Sequence, residues 1–343
     1  MIIRSRAPVR LSFAGGGTDV SPYTEKKGGA ILSTTINRYV YGTLIPRHDE
    51  NVNLMSADYK KSMVFYDVNE MNYDGDLDLM KAVVRVMKPK HGFEIFLRSD
   101  IPPNTGVGSS GSVGVNLVGL FNHLMEKKLN KHEIAETAYK IEIEELGNVT
   151  GRQDAYAACF GGLNFIEFKG NEFVRVTPLN IKEDVLLELE KHLVLAYIGK
   201  RGESGDIQKV LREQKDAYSE EEKIKVLDMK KQMAIDMKLA LEKGDLDKFA
   251  ELMSRDWEEK KKLHKGYVSE KVDRLHEIGI RHGAVSAKTT GAGVGGHMLF
   301  YCKSNKEHEV VRALENAGVR VVDFSFENGG LKIWEVKEKW KES

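Results

Sequence analysis

The sequence predicts a mixed fold of strands and helices in two domains, residues 1–178 and 179–343, that share a cleft. Three observations carry this. A chain of 343 residues is long for a single hydrophobic core. Its first half alternates strand-like and helical segments, while its second half is helix-rich from Asp206 to His264. A glycine- and serine-rich run, Pro102 to Ser112, sits where a strand pattern meets an apolar helical one.

In chain order, Met1-Ile2-Ile3-Arg4-Ser5-Arg6 leads straight into a strand. Further strands are predicted over Ala30 to Ile45, Val52 to Ser56, Met63 to Tyr66 and Gly92 to Arg98. In the last, Phe93, Ile95 and Leu97 alternate with Glu94, Phe96 and Arg98, a period of two, and Pro102-Pro103 ends the strand. Val113, Val115, Leu117, Val118, Leu120, Phe121, Leu124 and Met125 then make a helix too apolar all round for a surface position. Asn130 followed by Glu133 forms a capping-box pattern and Gly147 a stop, so Lys131 to Leu146 should be helical. A strand follows from Gly161 to Phe168, and the domain boundary is placed near Pro178. In the second half Gly244-Asp245 reads as a helix stop followed by an N-cap. The lysine- and glutamate-rich helices around it sustain no apolar heptad across Gly244, which points to solvated faces rather than a coiled coil. The chain closes as strand, helix, strand and strand from Ala284 to Val336.

Composition narrows the partners. Lys+Arg and Asp+Glu are equal at 52 each, so no net field favours nucleic acid or an anionic membrane. Cys159 and Cys302 are the two cysteines, both in apolar settings, which reads as core thiols rather than a disulfide or metal pair. No run approaches the ~20 apolar residues of a membrane span, and the first residues carry no apolar signal core. A cytoplasmic location is the expectation.

The run from Pro102 to Ser112 is built to hold phosphate. It ends at the start of a buried helix, where unpaired backbone N–H groups and the helix dipole favour an anion, and glycines allow close approach. Gly106-Val107-Gly108-Ser109-Ser110-Gly111 fits the dinucleotide pattern G-x-G-x-x-G, but the region about 20 residues on is polar and lacks the acidic strand end that pattern needs. A protein kinase would need a catalytic loop before Asp323-Phe324-Ser325, and none is present. A Walker A loop would end in G-K-[ST], whereas this one reads Gly111-Ser112. What remains is an anion loop with two adjacent hydroxyls.

Two acids and a cation stand out beside it. Glu142 shares a helical stripe with Ala135, Ala138, Tyr139 and Leu146, whereas Glu144 shares one with Thr137 and Lys140, so only Glu142 faces inward. A carboxylate so placed needs a cation or donors, whether a metal or a structural ion pair. Asp154 lies at helical spacing over Ala157 and Ala158, close to glycines; a helix-start cap after Gly151 is the plainer reading. Arg10 projects from the strand face opposite Val9, Leu11 and Phe13, with a surface position as its alternative. Asp19 follows a glycine turn, where aspartate is also an ordinary turn residue.

These residues resemble the GHMP kinases, the superfamily of galactokinase, homoserine kinase, mevalonate kinase and phosphomevalonate kinase. The loop is similar to the family's second motif, P-x-x-x-G-L-G-S-S-A, with Val107 for the leucine and Gly111 for the alanine. Ala7-Pro8-Val9-Arg10-Leu11-Ser12-Phe13-Ala14-Gly15-Gly16-Gly17-Thr18-Asp19 resembles the opening strand and turn of the sugar kinases, with Gly16-Gly17 replacing the glutamate-histidine pair of galactokinase. Lys288-Thr289-Thr290-Gly291-Ala292-Gly293-Val294-Gly295-Gly296 is similar to the C-terminal glycine loop. The three motifs stand in family order and span most of the chain.

The resemblance implies an α+β fold of two domains: an N-terminal one like ribosomal protein S5 domain 2 and a C-terminal one of ferredoxin-like type, with ATP and magnesium at their junction. It implies that Pro103, Gly106, Val107, Gly108, Ser109, Ser110, Gly111 and Ser112 hold the nucleotide. Ser110 and Glu142 would be the protein ligands of Mg2+. Asp154 would be the catalytic aspartate, accepting or orienting the acceptor hydroxyl. Arg10 would favour its ionised form and offset charge on the phosphoryl oxygens. Gly17, Thr18, Asp19, Gly162 and Gly293 fall at the acceptor, and Asp19 matches an aspartate that binds sugar hydroxyls.

Within the superfamily, Gly15-Gly16-Gly17-Thr18-Asp19 and Gln153-Asp154-Ala155-Tyr156-Ala157-Ala158-Cys159-Phe160-Gly161-Gly162 most resemble the D-glycero-D-manno-heptose 7-phosphate kinases, and Asn164 to Phe168 add to the likeness. Such enzymes make a 1,7-bisphosphate from a sugar phosphate and ATP. A distal cation is then needed, and Arg201, in a loop between a strand and a helix, is the candidate. A kinase for an unphosphorylated sugar of the fucose or galactose type, and a non-catalytic sugar sensor on the same fold, are the alternatives.

Overall fold

In the computed structural model of the chain, residues 1–103, 105–170, 173–199, 208, 212–213, 215–216, 220–263, 268–291, 293 and 295–337 are described. Two sheets organise them. The first is built on β2 (Gly29–Pro46), whose eighteen residues are long enough to pair with different neighbours at its two ends. Along one edge it pairs antiparallel with β1 (Ile2–Ala14). Along the other, its first residues pair with β6 (Asn164–Lys169) and its last with β5 (Phe93–Ser99). Beyond β5 lie β3 (Val52–Ser56), parallel to it, and β4 (Lys61–Phe65); beyond β6 lies β7 (Phe173–Pro178).

The helices of this half are a short α1 (Tyr23–Lys27), α2 (Asp78–Met87), α3 (Ser109–Leu124), α4 (Lys131–Lys140) and α5 (Gln153–Phe160). Helices α2 to α5 close over β1, β2 and β5 around Leu44, Phe93, Leu117, Val118, Phe121 and Tyr156, whereas Tyr23 of α1 packs with Val226, Leu227 and Leu263 of the second half. Phe93, Ile95 and Leu97 are buried, as the alternation predicts. Cys159 and Cys302 are both buried free thiols.

The second sheet runs β11-β8-β10-β9, antiparallel throughout, from β8 (Leu193–Gly199), β9 (Ala284–Thr289), β10 (Gly296–Cys302) and β11 (Arg320–Val322). Its helices are α6 (Glu183–Lys191), α7 (Glu221–Lys243), α8 (Leu246–Leu263), α9 (Glu270–Arg281) and α10 (Glu307–Asn316). Gly244 ends α7 at φ 74°, and the Asp245 carboxylate accepts from Lys248 N at 2.9 Å, giving the stop and cap read from the sequence. Every residue of β10 is buried because both faces are covered. Leu299 and Tyr301 meet Phe13, Leu32, Met237 and Phe249 in a core shared with the first sheet, while Met298 and Phe300 pack on α9 and α10.

Two features depart from the sequence reading. The closing segment has a strand pair before its helix, because the third glycine motif is the turn of the β9–β10 hairpin. After β11, β12 (Phe326–Glu327) and β13 (Lys332–Val336) return to the first sheet and pair with β2 and β1. Residues 326–336 therefore do not stay with the second half. The return covers the free edge of β1 and seats Leu331 and Ile333 against Gly119 of α3.

Candidate active site

The phosphate loop is held open by bonds to its own backbone rather than to its N-terminal amides. Gly108 caps α3 at φ 74°, and no side chain bonds the cap, so the first amides of α3 are left for a ligand. From β1, Arg10 N donates to Val107 O at 2.9 Å, and the Ser112 hydroxyl of α3 donates to Pro8 O at 2.8 Å. From the second sheet, His297 Nδ1 lies 2.9 Å from Thr105 O and donates to it. A Cβ on Gly296 would stand 2.1 Å from that same carbonyl, so the β9–β10 hairpin touches the loop only because position 296 is glycine. Gly293 is buried in the hairpin loop at φ 78°.

Arg10 and Asp154 meet under this loop. Register shifts between Pro8 and Val9 and between Ser12 and Ala14 bracket Arg10 and turn its side chain inward, where it is 3% exposed. Its Nε and Nη2 lie 2.8 and 2.6 Å from Oδ1 of Asp154, and Nη1 donates to Gly106 O at 2.8 Å. One oxygen of Asp154 is thus taken by arginine. Among the described residues no hydrogen bond engages Oδ2, on a side chain that is 19% exposed.

Glu142 approaches from α4, which does not run on regularly to Leu146. At Ile141–Glu145 the helix widens into a π turn, a distortion often found at functional sites. Glu142 is buried and Glu144 exposed, and the Ser110 hydroxyl donates to Oε2 of Glu142 at 2.7 Å. Burial pushes the Glu142 carboxyl up to about 7; the Ser110 bond lowers it and the Asp154 charge raises it. Among the described residues no three His, Cys, Asp or Glu gather as a metal cluster. One buried carboxylate and one hydroxyl beside the loop fit the few protein oxygens that Mg2+ takes when phosphates and waters complete its shell.

The residues expected at the acceptor separate. Asp19 is fully buried, with Oδ1 accepting from Gly17 N at 3.3 Å and Oδ2 from Gln153 N at 3.1 Å. Its carboxylate caps the start of α5 and so supports the helix that carries Asp154. Burial first, then the Asp154 charge, raise it to about 6 against its backbone bonds. The Thr18 hydroxyl is likewise bonded internally, donating to Gly15 O at 2.8 Å and meeting Ala30 at 3.1 Å. Gly17, half-buried, stays at the turn surface. Gly162 lies two residues past the end of α5, where its N–H donates to Thr35 Oγ1 at 2.7 Å. Arg201 lies outside the described residues. Farther along that segment, Gln208 Oε1 accepts from Val149 N at 2.9 Å, in the loop that leads into α5.

A cavity of about 240 Å³ opens beside Ser109, Ser110 and Glu142. Its walls are Val40 and Leu97 from the sheet, Ile101 just past β5, Leu77 and Met80 at the start of α2, and Asp58 and Tyr59 from the β3–β4 turn. Apart from Leu97 in the β5 alternation, none of these stood out in the sequence: they are ordinary apolar and turn residues from four separate segments, without a motif. The apolar walls with a few polar groups suit a flat heteroaromatic ring.

Comparison with known proteins points to one superfamily. The family described as GHMP kinases N terminal domain matches residues 78–162, and GHMP kinases C terminal matches residues 237–320. A D-glycero-alpha-D-manno-heptose 7-phosphate kinase from Campylobacter jejuni is 36% identical over 97% of this chain and 99% of its own. A mevalonate kinase from Pyrococcus abyssi is 29% identical over 76% of this chain and 74% of its own. The crystal structure of a D-glycero-D-manno-heptose 1-phosphate kinase from Bacteroides thetaiotaomicron superposes with a TM-score of 0.81 at 33% identity, covering 98% of this chain and all of the other.

Proposed function

The chain belongs to the GHMP kinases, and from that premise we propose that it transfers the γ-phosphoryl group of ATP to the anomeric hydroxyl of D-glycero-D-manno-heptose 7-phosphate. The product is the 1,7-bisphosphate. Among the described residues, no helix is long and apolar enough to cross a membrane.

The observation that carries the mechanism is the one-sided engagement of Asp154. Arg10 binds Oδ1, which leaves Oδ2 to accept the proton of the sugar hydroxyl. The hydroxyl oxygen bonds to the γ-phosphorus as the bridging bond to ADP breaks, and its proton passes to Oδ2. Arg10 also offsets charge on the transferring oxygens, while the amides at the start of α3 hold the phosphates. The nucleoside occupies the 240 Å³ cavity beside Ser109. Ser110 and Glu142 would hold Mg2+, which would supply positive charge to offset that of the nucleotide phosphates.

The choice of a heptose phosphate as acceptor draws on the two relatives named for heptose phosphates. ADP release from Mg-ATP across heptose 7-phosphate, heptose 1-phosphate, mannose 6-phosphate, free heptose, fucose, galactose and mevalonate tests it. Turnover selective for heptose 7-phosphate is expected. Turnover of an unphosphorylated sugar alone would discard the distal phosphate, and ATP binding without turnover of any would favour a sensor.

A further inference from the structure

Asp256 of α8 is 1% exposed and sits between two lysines from other elements. Lys230 of α7 donates to its Oδ1 and Lys288 of β9 to its Oδ2, each at 2.6 Å, and both lysines are buried. Burial raises the Asp256 carboxyl, but the two ammonium groups outweigh it and leave the group well below the ordinary carboxylate range. Three charges carry one net positive charge that no other described contact to the aspartate cancels.

The two lysines differ in what else they hold. Lys230 makes its further contact within the second half, to Asp256 O at 3.3 Å. Lys288 donates instead to Phe13 O at 2.6 Å, at the end of the strand that carries Arg10. Gly15 N also leans on Asp256, at 3.4 Å. One residue beyond Lys288, the Thr289 carbonyl is held by Lys260 of α8 at 3.1 Å; Lys260 also holds Gly291 O at 2.6 Å. A single ammonium group therefore joins the stem of the third glycine loop to the turn that contains Gly15, Gly16 and Gly17.

We propose that Lys288, clamped by Asp256, is a positioning residue that fixes the Gly15–Asp19 turn against the third glycine loop and so sets the fit of the acceptor. This rests on the kinase reading above. A misplacement of about 1 Å between such elements costs up to about 10²-fold in rate, and a buried ion pair is a rigid way to prevent it.

The test compares K288M with K230M. Each removes one ammonium and leaves Asp256 a single lysine partner, but only K288M cuts the bond to Phe13 O. The readouts are acceptor and Mg-ATP kinetics, with whichever acceptor the wild-type enzyme turns over, and hydrogen–deuterium exchange over residues 13–19. In K288M, acceptor KM should rise about tenfold, the KM for Mg-ATP should stay within about twofold, and exchange over residues 13–19 should increase. K230M should leave the exchange and the acceptor KM near wild type. Equal behaviour of the two variants would make the net charge, not the bond to β1, the cause and overturn the proposal; so would unchanged exchange in K288M. K288Q, shorter but polar, takes the same two readouts if K288M does not fold. A wild-type enzyme selective for another acceptor would overturn the heptose reading alone, because the exchange measurement needs no substrate.

Discussion

A methyl group on Gly111 would stand 2.7 Å from Cβ of Asp154, so α5 rests directly on the start of α3. The GHMP pattern carries alanine at this position. Here the missing side chain lets the aspartate and the phosphate loop approach each other: a Cβ on Gly108 would likewise lie 3.2 Å from Cγ of Asp154.

Restoring that alanine should harm this enzyme. G111A should cost about 1–3 kcal/mol of stability through overpacking and lower kcat about 10²-fold by displacing Asp154. Thermal unfolding and steady-state kinetics measure both. An unchanged kcat would show that α5 can shift without consequence.

Arg10 makes three contacts that a lysine cannot reproduce, because one ammonium cannot reach Gly106 O and Asp154 with the same fixed fork. R10K should lower kcat by about 10²–10³-fold, with nucleotide affinity changed far less. Equal losses in kcat and in nucleotide binding would place Arg10 in ground-state binding instead.

Glu142 and Asp19 both have pKa values raised by burial, to about 7 and about 6. In the unfolded chain both ionise near pH 4, so between roughly pH 4 and 7 the folded state holds protons that the unfolded state has lost. Their contribution is present below the unfolded pKa and disappears as pH rises through 6 to 7, by about 1–3 kcal/mol. The metal-free protein should therefore melt at lower temperature at pH 8 than at pH 5.5. E142Q should flatten that dependence while lowering kcat at least about 10²-fold. A steeper dependence in E142Q would show that another group governs it. Since Mg2+ replaces the proton, its affinity should rise with pH up to about 7 and then level off.

Asp19 separates two roles by kinetics. As a cap on α5 it should, when changed to asparagine, cost about 1–2 kcal/mol of stability and lower kcat with little change in acceptor KM. A selective rise in acceptor KM would place Asp19 at the sugar instead.

Much of this was legible in local patterns. Phe93, Ile95 and Leu97 marked the buried face of β5, and Asn130 with Glu133 formed the capping box of α4. The stripe shared by Ala135, Ala138 and Tyr139 placed Glu142 inward, and it stays buried inside the π turn that begins at Ile141. What was not legible depends on chain segments meeting in space. The cavity beside Ser109 draws on β2, β5, the start of α2 and the β3–β4 turn, each unremarkable alone. Lys230, Asp256 and Lys260 lie in helices whose charge read as solvated, yet all three are buried, because each finds a partner on another element. The close approach at Gly111 and the return of β13 to β1 likewise have no local signature.

Phosphorus NMR of the product formed from Mg-ATP and D-glycero-D-manno-heptose 7-phosphate tests the central claim most directly. A new anomeric phosphate resonance beside the retained 7-phosphate, absent with D154N under conditions where ATP still binds, is the expected result. A phosphate at any other carbon, or the same product from D154N, would contradict the roles assigned to the acceptor and to Asp154.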